Sequence, residues 1–164
     1  MKFVTIGVYG SDETAFFKAL QDAKVDTFCD IRWRRGMRGS EYAFANSARL
    51  QKRLAELGIR YLHVRELAPT PELRAAQARA DKAERVARRK RVALGDVFVE
   101  GYCRERLADF DSRRFLDLLG NEAKVVALFC VEREPAACHR SLLAQRLEKD
   151  LGITVAHLIP LGAS

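Results

Sequence analysis

A chain of 164 residues, 48% of them hydrophobic and only four proline, can bury one ordinary core and is too apolar to be disordered. Its formal charge of +7 favours an anionic partner such as nucleic acid, a nucleotide or another phosphate, although a basic surface alone has the same sign. No apolar run reaches membrane-spanning length, charge follows MKFVTIGVYG too soon for a secretory signal, and four cysteines are too few for a disulfide scaffold. A cytoplasmic protein with reduced thiols and no membrane partner is the expectation.

In chain order, Lys2–Val8 reads as a buried strand closed by Gly10-Ser11. Ser11 or Asp12 caps a helix through Ala23 with Phe16, Phe17 and Leu20 on one face. Val25–Arg32 is a second strand, followed by the arginine- and glycine-rich loop Trp33–Gly39. Ser47 caps a helix carrying Leu50, Leu54 and Leu57, and Gly58 stops it before the strand Ile59–Val64. A long basic helix is expected from Glu72 to about Leu94, and another over Phe110–Leu119. Ala123–Val131 is the fourth strand, Ala136–Leu151 a helix and Thr154–Ile159 the last strand.

Strands that are nearly continuous in apolar residues and alternate with helices predict a doubly wound α/β fold. Its five-stranded sheet is mainly parallel, with helices on both faces. The expectation is a single domain over 1–164, with a helical insertion at about 72–120. In the strand order 3-2-1-4-5 the first and fourth strands are neighbours where the winding reverses, and ligands bind there, beyond the carboxyl ends of the strands. That topology brings Gly7, Tyr9 and Ser11, then Asp30 and Arg32, then the loop Val131–Ala137 to one mouth.

The densest chemistry lies in VVALFCVEREPAACHRSLLAQRL, Val125–Leu147. An apolar strand ends on Cys130, and Cys138-His139-Arg140 opens an amphipathic helix, where amides and helix dipole favour anions and lower a thiol's pKa. Neighbouring helical residues point about 100° apart, so only one or two of the three face one ligand. Arg140 with Arg32 and the helix amides is expected to hold an anion, with Cys138 the better-placed thiol and Asp30, Glu132 and His139 the candidate acids and bases. Cys130 by itself reads first as a small buried core residue.

Gly7, Tyr9, Ser11, Arg38 and Cys130 complete the expected ligand site. The Asp30–Arg32 pair also has a purely structural reading, as an ion pair that positions its loop. Tyr42 and Phe44 either stack on a base or close the loop over the core. The spacing of Cys130, Cys138 and His139 is not that of the common structural zinc motifs and no fourth ligand stands out. No metal and no cofactor are therefore assigned. In the basic helix Asp81–Arg85 and Glu84–Arg88 are expected to pair, and the helix reads first as a solvated face, with the run Arg88–Arg91 as its part suited to phosphate contacts.

Thr5-Ile6-Gly7, the Asp-x-Arg of Asp30 and Arg32, Gly58-Ile59-Arg60-Tyr61 with His63, Glu66-Leu67, and Cys130-x-Glu132 followed by Cys138-His139-Arg140 resemble the domain of unknown function 488 family over essentially the full chain. The run Arg35–Ser47 with Leu67-Ala68-Pro69-Thr70 looks like a basic subgroup that lacks the more usual Ser-x-Pro loop. The resemblance implies an α/β fold and a cytoplasmic protein, and carries no established reaction. A weaker likeness is to rhodaneses and cysteine phosphatases, with Cys130 and Arg140-Ser141 in the thiolate and anion-loop parts. The acidic loop bearing Glu132 and Glu134 departs from their pattern.

The functional expectation is an enzyme or ligand-binding domain acting on a phosphate-bearing substrate, a nucleotide or nucleic acid. The alternatives are a cysteine-thiolate enzyme of the sulfur-transfer or phosphatase kind, and a non-catalytic nucleic-acid-binding module.

Overall fold

The computed structural model describes residues 1–162. Five strands, β1 (Lys2–Ile6), β2 (Thr27–Asp30), β3 (Arg60–His63), β4 (Val125–Phe129) and β5 (Ala156–Leu158), form one sheet. Every pairing is parallel, in the order β3-β2-β4-β1-β5. The helices are α1 (Glu13–Asp22), α2 (Ser47–Glu56), α3 (Pro71–Ala83), α4 (Asp96–Tyr102), α5 (Ser112–Leu119) and α6 (His139–Leu151). This is the doubly wound α/β fold the alternation implied. None of the helices among the described residues is long and apolar enough to cross a membrane.

The strand order differs from 3-2-1-4-5 in one respect. β1 and β4 are neighbours as expected, but β4 takes the centre, between β1 and β2, and β5 flanks β1. Both strands are continuous apolar runs, so no local pattern says which lies innermost. The registers place Ile6 and Asp30 on either side of Phe129, so the loops after β1, β2 and β4 leave the sheet level with one another.

Side chains that share a register point to the same face. Phe129 meets Phe16 of α1 at 5.7 Å and Phe28 at 5.0 Å, with Phe44 against Phe16 at 5.5 Å. Phe3 points the other way and stacks on Phe115 of α5 at 6.2 Å. Thr5, on that second face, receives Arg140 of α6. The sheet is therefore covered on both sides, and truncating a ring such as Phe16 should cost about 3–5 kcal/mol.

Helix termini explain where the expected boundaries moved. Asp12 caps α1 by accepting from the Ala15 amide at 2.8 Å. After α2 the Gly58 amide reaches the Ala55 carbonyl and the Ile59 amide that of Leu54, with Gly58 at φ +70°. The same double bond closes α3, from Arg85 to Lys82 and from Val86 to Asp81, but there the left-handed residue is Arg85 at φ 56°. The expected helix from Glu72 to about Leu94 thus ends at Ala83. A turn at Arg88–Lys90 follows and then α4, which the sequence pattern did not indicate. In α4 a side chain at Gly101 would collide with Leu73, so close packing of α3 on α4 holds a helix that glycine and β-branched residues disfavour.

Candidate functional site

A cleft of about 940 Å³ opens beyond the carboxyl ends of β1, β2 and β4. α3 and the segment through Arg91 bound its other side, and the Leu94 amide bonded to the Ala136 carbonyl ties that segment to the β4–α6 loop. Tyr9, Arg32, Arg38, Cys130, Glu132, Cys138 and His139 from the predicted set line it together.

Gly7, Ser11, Asp30 and Arg140 lie outside that lining. Asp30 is fully buried and accepts from Arg32 Nε and Nη2 at 2.9 and 2.8 Å and from the Tyr61 hydroxyl at 2.7 Å. Arg32 also donates to the Ala45 carbonyl and lies over the Phe129 ring. The pair therefore has the positioning geometry, with a planar guanidinium held bidentately. Burial and the bond to Asp30 push the Tyr61 hydroxyl up to about 12.

Arg140 is likewise fully buried. It donates to Thr5 Oγ1 and to the carbonyls of Glu132 and Arg133, and so pins the loop after β4 onto β1. Gly7 fits beneath that loop because any Cβ there would collide with the Glu132 carbonyl oxygen. Ser11 is tied to its own turn through the Val8 carbonyl at 2.7 Å. Tyr42 and Phe44 are core residues: the Tyr42 hydroxyl accepts from the Gly10 amide and both rings are buried.

At the floor, the sulfurs of Cys130 and Cys138 and a ring nitrogen of His139 lie within 4.8 Å of one another. His139 Nδ1 is 3.7 Å from Cys138 Sγ, while Nε2 is 2.9 Å from the Ile31 carbonyl. A carbonyl only accepts, so Nε2 carries a hydrogen and Nδ1 faces the sulfur. Cys130 Sγ donates to Glu132 Oε2 at 3.5 Å.

Burial opposes charge on Cys138, but the Cys130 hydrogen bond and the positive charges of His139 and Arg140 outweigh it and hold the thiol well below its ordinary range. Cys130 moves the opposite way, through its bond to Cys138 and its burial. His139 is raised because Cys138 beside it outweighs burial. Cys29, inside β2, is a contrast: burial pushes it up to about 12 and it is an inert core thiol.

The segment expected to be an unpaired phosphate-contacting run is largely paired. Arg88 and Arg91 both reach Glu132 Oε1 at 3.0 Å, Arg91 also meets Asp81 at 2.7 Å, and Arg89 meets Glu41 at 3.1 Å. The expected partners Asp81–Arg85 and Glu84–Arg88 do not form. The helix has ended before Arg85, so these residues no longer share its face. Glu132 is neutralised by two guanidiniums, which removes the repulsion an acidic loop would present to an anion.

Of the cations that line the cleft, Arg34, Arg38, Arg74, Lys82 and Lys90 make no ion pair or side-chain hydrogen bond among the described residues. Arg74 is half-buried, and desolvation with the neighbouring charges of Arg88 and Arg34 lowers its hold on its proton. Arg34 belongs to the arginine-rich loop after β2 and Arg74 and Lys82 to the basic helix read from the chain, but their convergence on one cleft depends on how α3 packs and has no local signal.

No curated protein and no solved structure matches the chain. Residues 13–147 match the family model described as domain of unknown function DUF488, which takes in every strand but β1 and β5 and the whole Cys130–Arg140 segment. The chain belongs to the DUF488 family.

Proposed function

We propose that the cleft binds a phosphate-bearing ligand, a nucleotide or a stretch of nucleic-acid backbone. The observation that carries this reading is the convergence of Arg34, Arg74 and Arg88 at one mouth, where burial and the charges of Arg88 and Arg34 disfavour the charge of Arg74 and neither Arg34 nor Arg74 has a carboxylate of its own. Like charges held together in a half-desolvated cleft cost free energy, and a polyanion removes that cost. The volume suits a nucleotide-sized molecule. Tyr9 and Trp33 supply aromatic surface on the lining, and Arg38 and Lys90 extend the positive rim outward, in the direction a longer strand would run.

In this reading Arg32, Asp30 and Arg140 hold the loops that shape the cleft, and the ligand meets Arg34, Arg38 and Arg74. The three buried free thiols suit a reducing compartment such as the cytoplasm. Calorimetric titration with a nucleoside triphosphate, and anisotropy with a labelled single strand, test the reading at several salt concentrations. Binding should weaken with salt, by about 0.7–0.9 log units of slope for each phosphate contact to a nucleic acid. A preference for the triphosphate marks a nucleotide site and a preference for the strand marks a nucleic-acid site. Absence of salt-sensitive binding to both overturns the proposal.

A further inference from the structure

We propose that Cys130, Cys138 and His139 form a transition-metal site that holds a zinc-class ion, with a fourth coordination position open to the basic cleft. The inference stands whatever ligand the rim of the cleft takes.

Three donors drawn from two chain segments, the end of β4 and the start of α6, converge within 4.8 Å. In a tetrahedron with zinc–sulfur bonds of about 2.3 Å and zinc–nitrogen bonds of about 2.0–2.1 Å, neighbouring donors lie roughly 3.5–3.8 Å apart. The 3.7 Å between Cys138 Sγ and His139 Nδ1 already meets that spacing, so only a small rotation of one cysteine closes the set.

The histidine is presented as a metal ligand is: its far nitrogen donates to a backbone carbonyl, Ile31, which fixes the ring plane and turns the Nδ1 lone pair toward the sulfurs. Glu132 Oε2 accepts from the Cys130 thiol in the metal-free chain, a bond given up when that thiol ionises onto the ion, while its other oxygen is held by Arg88 and Arg91. Glu132 stays with its arginines outside the donor set, and no fourth protein donor completes the set among the described residues.

Two sulfurs and an imidazole are a soft donor set that selects zinc, or a similar thiophilic ion, over magnesium or calcium. Binding displaces the thiol and imidazole protons to solvent, and two thiolates with a neutral imidazole cancel the charge of a divalent ion. Closed structural sites carry four protein ligands, whereas three with an open position make a substrate-facing site. All three residues line the cleft, so the open position lies where a water or a ligand oxygen arrives. The short spacing of these ligands in the chain, with histidine directly after cysteine, hides the site from zinc-motif patterns.

The test uses the full chain purified without chelator. Elemental analysis should find about one zinc per chain after gel filtration. The stripped protein titrated with Co²⁺ should develop sulfur-to-cobalt charge transfer and the intense visible bands of tetrahedral coordination. Cys138→Ser and His139→Gln should each weaken Co²⁺ binding by at least about tenfold, the lower bound for disturbing even a group that only orients a ligand.

If a variant does not fold, thiol alkylation of the wild type followed by peptide mass spectrometry decides the matter, with exposed Cys103 as internal control. Zn²⁺ should slow modification of Cys130 and Cys138 while leaving Cys103 unchanged. Failure to retain zinc, a weak octahedral cobalt spectrum, undiminished binding in folded variants, or alkylation of Cys130 and Cys138 indifferent to Zn²⁺ overturns the site. In that event the pair is a metal-free thiol–imidazole group.

Discussion

Two sets of arginines surround the cleft, and they differ in what their guanidiniums already hold. Arg32 and Arg140 are buried, and their donors go to Asp30, to Thr5 and to the carbonyls of Ala45, Glu132 and Arg133. Arg34 and Arg74 stand at the mouth, crowded by Arg88 and without an acid to match them. A charge that is fully bonded inside the protein sets the shape of a loop. A charge left unmatched beside a cleft is available to a ligand. In the proposed function the contrast moves the anion-binding role from Arg140, where the helix-terminus pattern put it, to side chains contributed by α3 and the loop after β2.

The largest effect that tests this contrast is on stability. Arg32→Ala leaves Asp30 buried without its ion-pair partner, and such a deletion should cost about 3–5 kcal/mol, read as a lower midpoint in urea unfolding. Arg140→Ala removes three bonds that pin the loop after β4 and should be of similar direction. A loss below about 1 kcal/mol in either variant, the size of an exposed pair, means the buried arginines are not what holds the loops.

Arg34→Ala and Arg74→Ala should do the reverse. Each removes a cation that bears on the crowding at Arg74, so the unfolding midpoint should hold or rise, while affinity for a phosphate-bearing ligand should fall by the roughly 1.5–3 kcal/mol of a charge-assisted bond. Calorimetry on both variants reads the affinity. Equal affinity in wild type and the double variant removes the mouth arginines from the site.

The five strands, five of the helices and the convergence of three loops are legible in the chain because they follow from apolar periodicity and crossover handedness, whereas the central place of β4 is not. What is not legible has physical causes. α3 ends on left-handed Arg85, so no glycine announces the stop, in contrast to Gly58 after α2. α4 exists through the packing of Gly101 against Leu73, a contact between segments far apart in the chain. The burial of Arg140 is invisible locally, since a guanidinium at a helix start reads the same whether it meets an anion or three oxygens of its own chain. The pairing of Glu132 with Arg88 and Arg91 depends on the turn that breaks the expected basic helix.

That turn gives a smaller test. Arg85 holds φ 56°, a conformation that disfavours any residue with a Cβ by about 1–2 kcal/mol, and it makes no ion pair or side-chain hydrogen bond among the described residues. Arg85→Gly should therefore stabilise the protein, by no more than about 1 kcal/mol because glycine also gains freedom in the unfolded chain. It should leave ligand affinity unchanged, because Arg85 does not line the cleft. A fall in stability would show that helical residues before the turn, and not the turn itself, set the end of α3.

The smallest effect reads the charge of Arg140 from a neighbour. His157 on β5 shares the Thr5 hydroxyl with Arg140: Thr5 Oγ1 is 2.7 Å from His157 Nδ1 and accepts from Arg140 Nε at 3.3 Å. Desolvation lowers the pKa of His157, and the charge of Arg140 lowers it further, against a smaller opposing contribution from Glu148. The folded state therefore prefers the neutral imidazole. Its contribution to stability is fully present above the unfolded value near 6.5 and is lost as the pH falls through the lower folded value. Because His157 is exposed, screening keeps this contribution below about 0.5 kcal/mol, so a titration reads it better than unfolding does. Followed by NMR, the His157 midpoint should sit below that of a free histidine and move up toward it in Arg140→Gln, provided the variant keeps its fold by circular dichroism. A midpoint that does not move would mean that the buried guanidinium's charge is already neutralised by the carbonyls it holds. The separation between bonded and unmatched arginines would then be even sharper than the distances indicate.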